Sequence, residues 1–232
     1  MSKALSIRPL RYAYPHRVKV GHRASVDEMI ATFVKGEYDS KRFGAKRFGA
    51  NYKALLAGTE FDRSIIDRPA VTNSRENKIR RRMLQIVRGY PAQLLFRDFP
   101  VDKVKWRWIE FDNDEVGKLW YANWPTWIKL SGGTRLVGDG AANLDKIEVV
   151  EDGTSISEGI RAVAERLRKG EILGEPILVG QSIRGPFVTM EGHTRVTAYS
   201  VVGGGVASTV KALVGVAPGM DDWWLFEDKT TR

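Results

Sequence analysis

Five consecutive residues, Glu191-Gly192-His193-Thr194-Arg195, gather groups suited to holding a phosphate. Gly192 lets the backbone take an unusual turn or come close to a ligand. The apolar run before it, Phe187-Val188-Thr189-Met190, reads as a strand, and Val196 to Val202 reads as a helix. The first amides of a helix have no intrahelical partner, and the helix dipole makes that end partially positive, so such a turn can hold an anion. The Thr194 hydroxyl adds a donor, and the planar Arg195 fork matches phosphate oxygens. His193 can donate to a phosphate or shuttle a proton near neutral pH, and Glu191 can orient a metal or act as a base. The same residues also make an ordinary strand-to-helix turn without a ligand, and spacing alone does not separate the two.

The elements around this turn are punctuated clearly. Ser155 and Glu158 have capping-box spacing at the head of a helix whose apolar stripe is Ile160, Val163, Ala164 and Leu167, closed by Gly170. A short strand is expected over Asp145–Val150. Pro176-Ile177-Leu178-Val179 is a second buried strand, and a last one spans Thr209 to Val216. Upstream, Ser25 and Glu28 head a helix over Val26–Val34. Asn73 and Glu76 head another that reaches Val87, with Ile79, Met83, Ile86 and Val87 as its apolar stripe.

Val104-Lys105-Trp106-Arg107-Trp108 alternates as an edge strand near 104–111. Its parity shifts at Ile109 and Phe111, which predicts a bulge or the strand's end. Trp120, Trp124 and Trp127 form either a core cluster or an aromatic platform. The chain divides on this reading into a basic, mostly helical region 1–112, a Trp-rich connector 113–143 and an α+β domain 144–232.

The 232 residues carry a net charge of +9, unevenly spread. Residues 1–109 hold 24 Lys and Arg against 10 Asp and Glu, whereas residues 110–232 hold 13 against 18. A polyanion such as DNA or RNA would therefore meet the N-terminal half, through Lys78, Arg80, Arg81 and Arg82 on the Asn73–Val87 helix. A tandem repeat, Lys41-Arg42-Phe43-Gly44-Ala45 and Lys46-Arg47-Phe48-Gly49-Ala50, pairs cations with aromatics in a way that suits single strands or an anchored surface turn. The absence of cysteine excludes disulfides, thiolate metal sites and cysteine nucleophiles, and three histidines are too few for a histidine cage. No stretch approaches the roughly 18 apolar residues of a membrane span, and no secretory leader is visible, so a cytoplasmic location is expected.

Taken together, the Pro176-Ile177-Leu178-Val179 strand and the box Gly192-x-x-Arg195-x-x-Ala198 resemble the ParB/sulfiredoxin-like superfamily over residues 144–216. The resemblance implies an α+β nucleotide-binding domain in which Gly192, His193, Thr194 and Arg195 contact phosphate. Sulfiredoxins carry a catalytic cysteine after the glycine; His193 stands there, so that chemistry is excluded. The partitioning proteins carry Gly-Glu-Arg-Arg and a following helix-turn-helix domain, for which the residues after the box are too few. The Gly-His-Thr-Arg form is closest to the superfamily's free-serine kinases, with Glu191 in place of their Asp. It implies a nucleotide (ATP, ADP or CTP) with Mg²⁺, and phosphoryl transfer or nucleotide hydrolysis with Glu191 and His193 as catalytic groups. A further carboxylate near the start of the domain would be Glu148, Glu151 or Asp152, by position only. The alternative is a nucleic-acid-binding module without catalysis.

Overall fold

The computed structural model describes residues 17–38, 49–205 and 208–226. Most of the Lys41–Ala50 repeat lies outside them. Eight strands and nine α-helices are assigned among the described residues. The strands at the centre, β6 (Ile177–Gly180), β7 (Phe187–Glu191) and β8 (Thr209–Val216), are apolar at nearly every position because both their faces are covered. Ile177, Val179, Val188, Met190 and Leu213 enter one core; Leu178, Phe187, Ala212 and Val214 enter the other.

The six-stranded sheet runs β1-β2-β8-β6-β7-β3, with β1 at Val18–Ala24, β2 at Lys105–Asp112 and β3 at Trp120–Tyr121. β8 lies parallel to β6 and β3 parallel to β7; the other pairings are antiparallel. Segments 1–112, 113–143 and 144–232 thus all supply strands to one mixed sheet, in a mixed α and β fold. A separate hairpin joins β4 (Val150–Glu151) to β5 (Thr154–Ser155), so the strand expected over Asp145–Val150 shrinks to its last residue and one beyond.

β2 is internal, not an edge. β1 covers it, and the bulge sits in β1, where the register shifts between Val20 and Arg23. β2 itself pairs with β8 without interruption from Lys105 to Asp112. The parity shift in its sequence has another cause: Trp106 packs into one core, while Ile109 and Phe111 pack into the other.

On the first face lie α1 (Val26–Tyr38), α2 (Gly49–Ala57), α3 (Ser64–Asp67) and α4 (Ser74–Arg88). Ser25 and Glu28 form the expected capping box of α1, with Glu28 N–H donating to Ser25 Oγ at 3.1 Å and Ser25 N–H to Glu28 Oε2 at 2.7 Å. Asn73 caps α4 by accepting from the amides of Arg75 and Glu76. On the second face lie α7 (Val137–Ala142), α8 (Ile156–Arg168) and α9 (His193–Val202). The short helices α5 (Asn113–Val116) and α6 (Pro125–Leu130) connect around β3. No helix among the described residues is long and apolar enough to cross a membrane.

The C-terminal segment is tied to the middle of the chain by buried polar contacts. Trp223, fully buried, donates from Nε1 to the Leu95 carbonyl at 2.7 Å. Arg135, 1% exposed, donates to the carbonyl oxygens of Tyr121 (2.7 Å), Phe226 (2.7 Å) and Leu225 (3.3 Å), fastening the C-terminal segment to β3. Arg135→Met leaves those carbonyls buried without their donor. We expect a loss of about 3 kcal/mol or more in urea denaturation, and a loss below about 1 kcal/mol would remove Arg135 from this role.

Candidate functional site

β7 ends at Glu191 and α9 begins at His193, with Gly192 between them at φ 90° and ψ 23°. That left-handed conformation favours glycine. Space demands it too: a Cβ there would stand 3.0 Å from Pro176 Cβ and 3.1 Å from Pro176 Cα. Gly192 offers no side-chain cap. The first intrahelical bond runs from Val196 N–H to the Gly192 carbonyl at 3.0 Å, so the His193, Thr194 and Arg195 amides belong to the open N-terminal turn.

Arg195 folds back over the turn, and its Nη2 donates to Glu191 Oε2. The two side chains are only 16% and 13% exposed. Glycines line both sides of the pair. A Cβ on Gly174 would come within 2.9 Å of Arg195 Nη1, and one on Gly36 within 3.0 Å of Glu191 Oε2. Gly36 lies in the last turns of α1, so the basic half of the chain packs directly on the box.

The next residue, Glu37, takes the Nε–H and an Nη2–H of Arg88 on one oxygen, with Nε at 2.8 Å. Its other oxygen, Oε2, is buried and has no hydrogen-bond partner among the described residues. Four charges from four elements therefore meet here: Glu37 of α1, Arg88 of α4, Glu191 of β7 and Arg195 of α9. Burial pushes the Glu191 carboxyl above the usual glutamate range; Arg195 opposes this, Glu37 adds to it and Arg88 opposes it. Burial, with Glu37 behind it, also pushes the neighbouring Tyr52 hydroxyl upward.

His193 stands in an aromatic wall. Its ring stacks on Trp127 (centroids 4.9 Å apart, planes 15°) and lies near-parallel to Tyr121 at 6.1 Å. Its Nε2 accepts the Ala122 N–H at 3.4 Å. Thr197 donates to the His193 carbonyl and meets the Tyr121 hydroxyl, each at 2.7 Å. Trp120 and Trp127 are core residues, whereas Trp124 stays 38% exposed.

The remaining sequence candidates are not gathered at the turn. Glu151 accepts from Thr126 Oγ1 at 2.7 Å and Trp124 Nε1 at 3.3 Å, tying β4 to α6. Glu148 accepts from Ser155 Oγ and pairs loosely with Arg161 at 3.9 Å. Asp152, at φ 51°, forms the β4–β5 turn with Gly153. The acidic group beside the box is Glu37, and no local pattern in the sequence signals it.

The basic helix also needs a correction. Arg80 is fully buried and cannot reach a polyanion. It donates to the Ile65 carbonyl at 2.9 Å, to Ala70 O at 3.2 Å, to Glu76 Oε2 at 2.7 Å and to Asn77 Oδ1. The buried face of α4 holds Arg80, Met83, Leu84 and Val87, while Ile86 is 37% exposed. Arg81 pairs with Asp27 of α1 at 2.7 Å, Arg82 donates to Gln85 at 2.7 Å, and Lys78 is exposed.

Comparison of the chain with protein-family models, curated proteins and solved structures finds no match.

Because Glu191 is raised in the folded state, the folded protein binds more protons than the unfolded chain between the usual glutamate value and the raised one. Stability should therefore fall as pH rises through that window, and Glu191→Gln should lack this component. Denaturation midpoints of both proteins between pH 4 and 8 check it: the advantage of wild type over variant should shrink with rising pH. A constant difference would refute the raised carboxyl.

Proposed function

We propose that the β7–α9 turn is a phosphate site and that the protein binds a nucleotide there, in the manner of the ParB/sulfiredoxin-like superfamily that its box resembles. The observation that carries this reading is the entry of α9 through a left-handed glycine that cannot cap it, with Arg195 in the same first turn. An anion at this end would meet the amides of the first helical turn, the positive end of the dipole and a guanidinium fork at once. Thr194 adds a hydroxyl. His193, oriented by the Ala122 amide at its Nε2, would add its ring to the site.

Phosphoryl transfer or hydrolysis would need an acid or base at the turn, and Glu191 is the group whose environment suits it. A Mg²⁺ site of the protein's own does not fit the donor set: no group of three or more His, Asp or Glu converges among the described residues, and Arg195 occupies Glu191. The nucleic-acid reading keeps Lys78 and Arg82 at the surface but loses Arg80 to the core.

Calorimetric titration of ATP, ADP and CTP into the protein tests the proposal. At least one should bind, and Arg195→Lys should weaken it about tenfold or more, near 1.4 kcal/mol, because an ammonium cannot form the bidentate fork. Lysine still neutralises Glu191, so the melting temperature should change little. No binding heat from any of the three nucleotides would overturn the reading.

A further inference from the structure

The Glu191–Arg195 pair sets a charge condition on any anion that enters the turn. Arg195 has committed Nη2 to Glu191, and both side chains are largely out of solvent. Nη2 belongs to both bidentate forks of a guanidinium, so a phosphate held by a fork competes with Glu191 for it. The charged groups that face Glu191 from the elements packed around it are then Glu37 on α1 and Arg88 on α4. Arg88 already serves Glu37, whose side chain is 4% exposed and whose second oxygen has no partner among the described residues. Two buried carboxylates sharing one arginine cannot both stay ionised at low cost.

We infer that phosphate capture at this turn is proton-linked: as Arg195 passes from Glu191 to the phosphate, Glu191 takes up one proton from solvent, and Glu37 is the positioning residue that enforces it. This inference rests on the nucleotide-binding reading above. The charges balance. The guanidinium remains a cation and now neutralises phosphate, the Glu191 carboxylate becomes a neutral carboxylic acid, and the buffer loses one proton.

Three observations support it independently of the ligand. Burial already drives Glu191 toward its protonated form with Arg195 in place, so removing that cation drives it further. Gly36 brings α1 so close to the pair that a single added carbon would meet both partners, at 3.0 Å from Glu191 Oε2 and 3.1 Å from Arg195 Nη2. That approach keeps the Glu37 charge on the neighbouring position rather than at a screened distance. Finally, Arg88 and the Gly192 backbone hydrogen bond favour the ionised form of Glu191 but weigh less than burial and Glu37, which oppose it.

Linkage then gives the direction. Between the value Glu191 has beside Arg195 and the higher value it has without it, affinity for the nucleotide falls with rising pH, by up to tenfold per unit. Titration of the best-binding nucleotide at one pH in buffers of different ionisation enthalpy reads the protons directly. Glu191→Gln serves as the reference that removes the ligand's own phosphate titration. Wild type should take up close to one proton more than Glu191→Gln. Glu37→Gln should take up fewer than wild type, because Arg88 is released to hold an ionised Glu191. Should that variant fail to fold, Glu37→Asp keeps the Arg88 partner, draws the charge back by one methylene and should lower the uptake in the same direction.

Equal uptake in wild type and Glu191→Gln overturns the proton linkage while leaving nucleotide binding intact. Extra uptake that is unchanged in the Glu37 variants overturns the role of Glu37. No binding heat from wild type overturns the nucleotide reading and this inference with it.

Discussion

Strands β6, β7 and β8 are apolar on both faces, and that one constraint organises the molecule. A sheet with two apolar faces needs a helical layer on each. The helices that follow and precede these strands, α8 and α9, cover one face only. The other face is closed by α1 to α4 from the basic half, and by the segment around Trp223 that reaches back to Leu95. The asymmetry of charge along the chain thus becomes an asymmetry between layers. Cationic helices lie over strands drawn from the acidic half, and ion pairs such as Arg88–Glu37 and Arg81–Asp27 are internal to the basic layer. The charge contrast between the halves is therefore not what holds the layers together; apolar burial is.

The same closure builds the candidate site. The β7–α9 turn by itself is a glycine, a helix end and an arginine. Only when α1 is laid on the sheet does Gly36 come against Glu191 and Arg195, and only then does Glu37 bring Arg88 within influence of the turn. Tight packing accounts for the glycines at 36 and 174, neither of which sits at a positive φ; the space beside the Arg195 side chain is what they leave open.

Local chemistry was legible in the sequence where a single element decides it. The capping residues Ser25, Asn73 and Ser155 stand where their spacing places them, because an N-cap bond spans three residues and depends on nothing distant. The last strand, Thr209–Val216, matches its apolar run for the same reason. The helix after the box was read from Val196 but starts at His193, since polar residues at an open helix end carry no apolar signal. What escaped depends on partners far along the chain. A periodic reading of α4 put Arg80 beside the apolar stripe and Ile86 within it, yet the carbonyls of Ile65 and Ala70 are saturated from α4 and draw the guanidinium inward. The two cores that split Trp106 from Ile109 were likewise invisible in an alternating pattern that presumes one buried face.

The phosphate site proposed in the acidic half of a basic protein is less paradoxical in this light. Long-range charge governs encounter, but binding at a buried turn is set by the groups within a few ångströms. An arginine held ready in such a place needs a counter-charge while no ligand is present, since an isolated buried cation would cost several kcal/mol. Glu191 supplies that charge four residues before Arg195, on the adjoining strand, where it can neutralise the guanidinium without occupying the helix amides. The arrangement works as a stand-in for a ligand only if Glu191 can itself become neutral once the ligand arrives, and a carboxylic acid, unlike a fixed anion, has a neutral form available. Burial beside a second carboxylate, which would be a plain liability for a structural ion pair, thus suits a pair that opens in the way proposed.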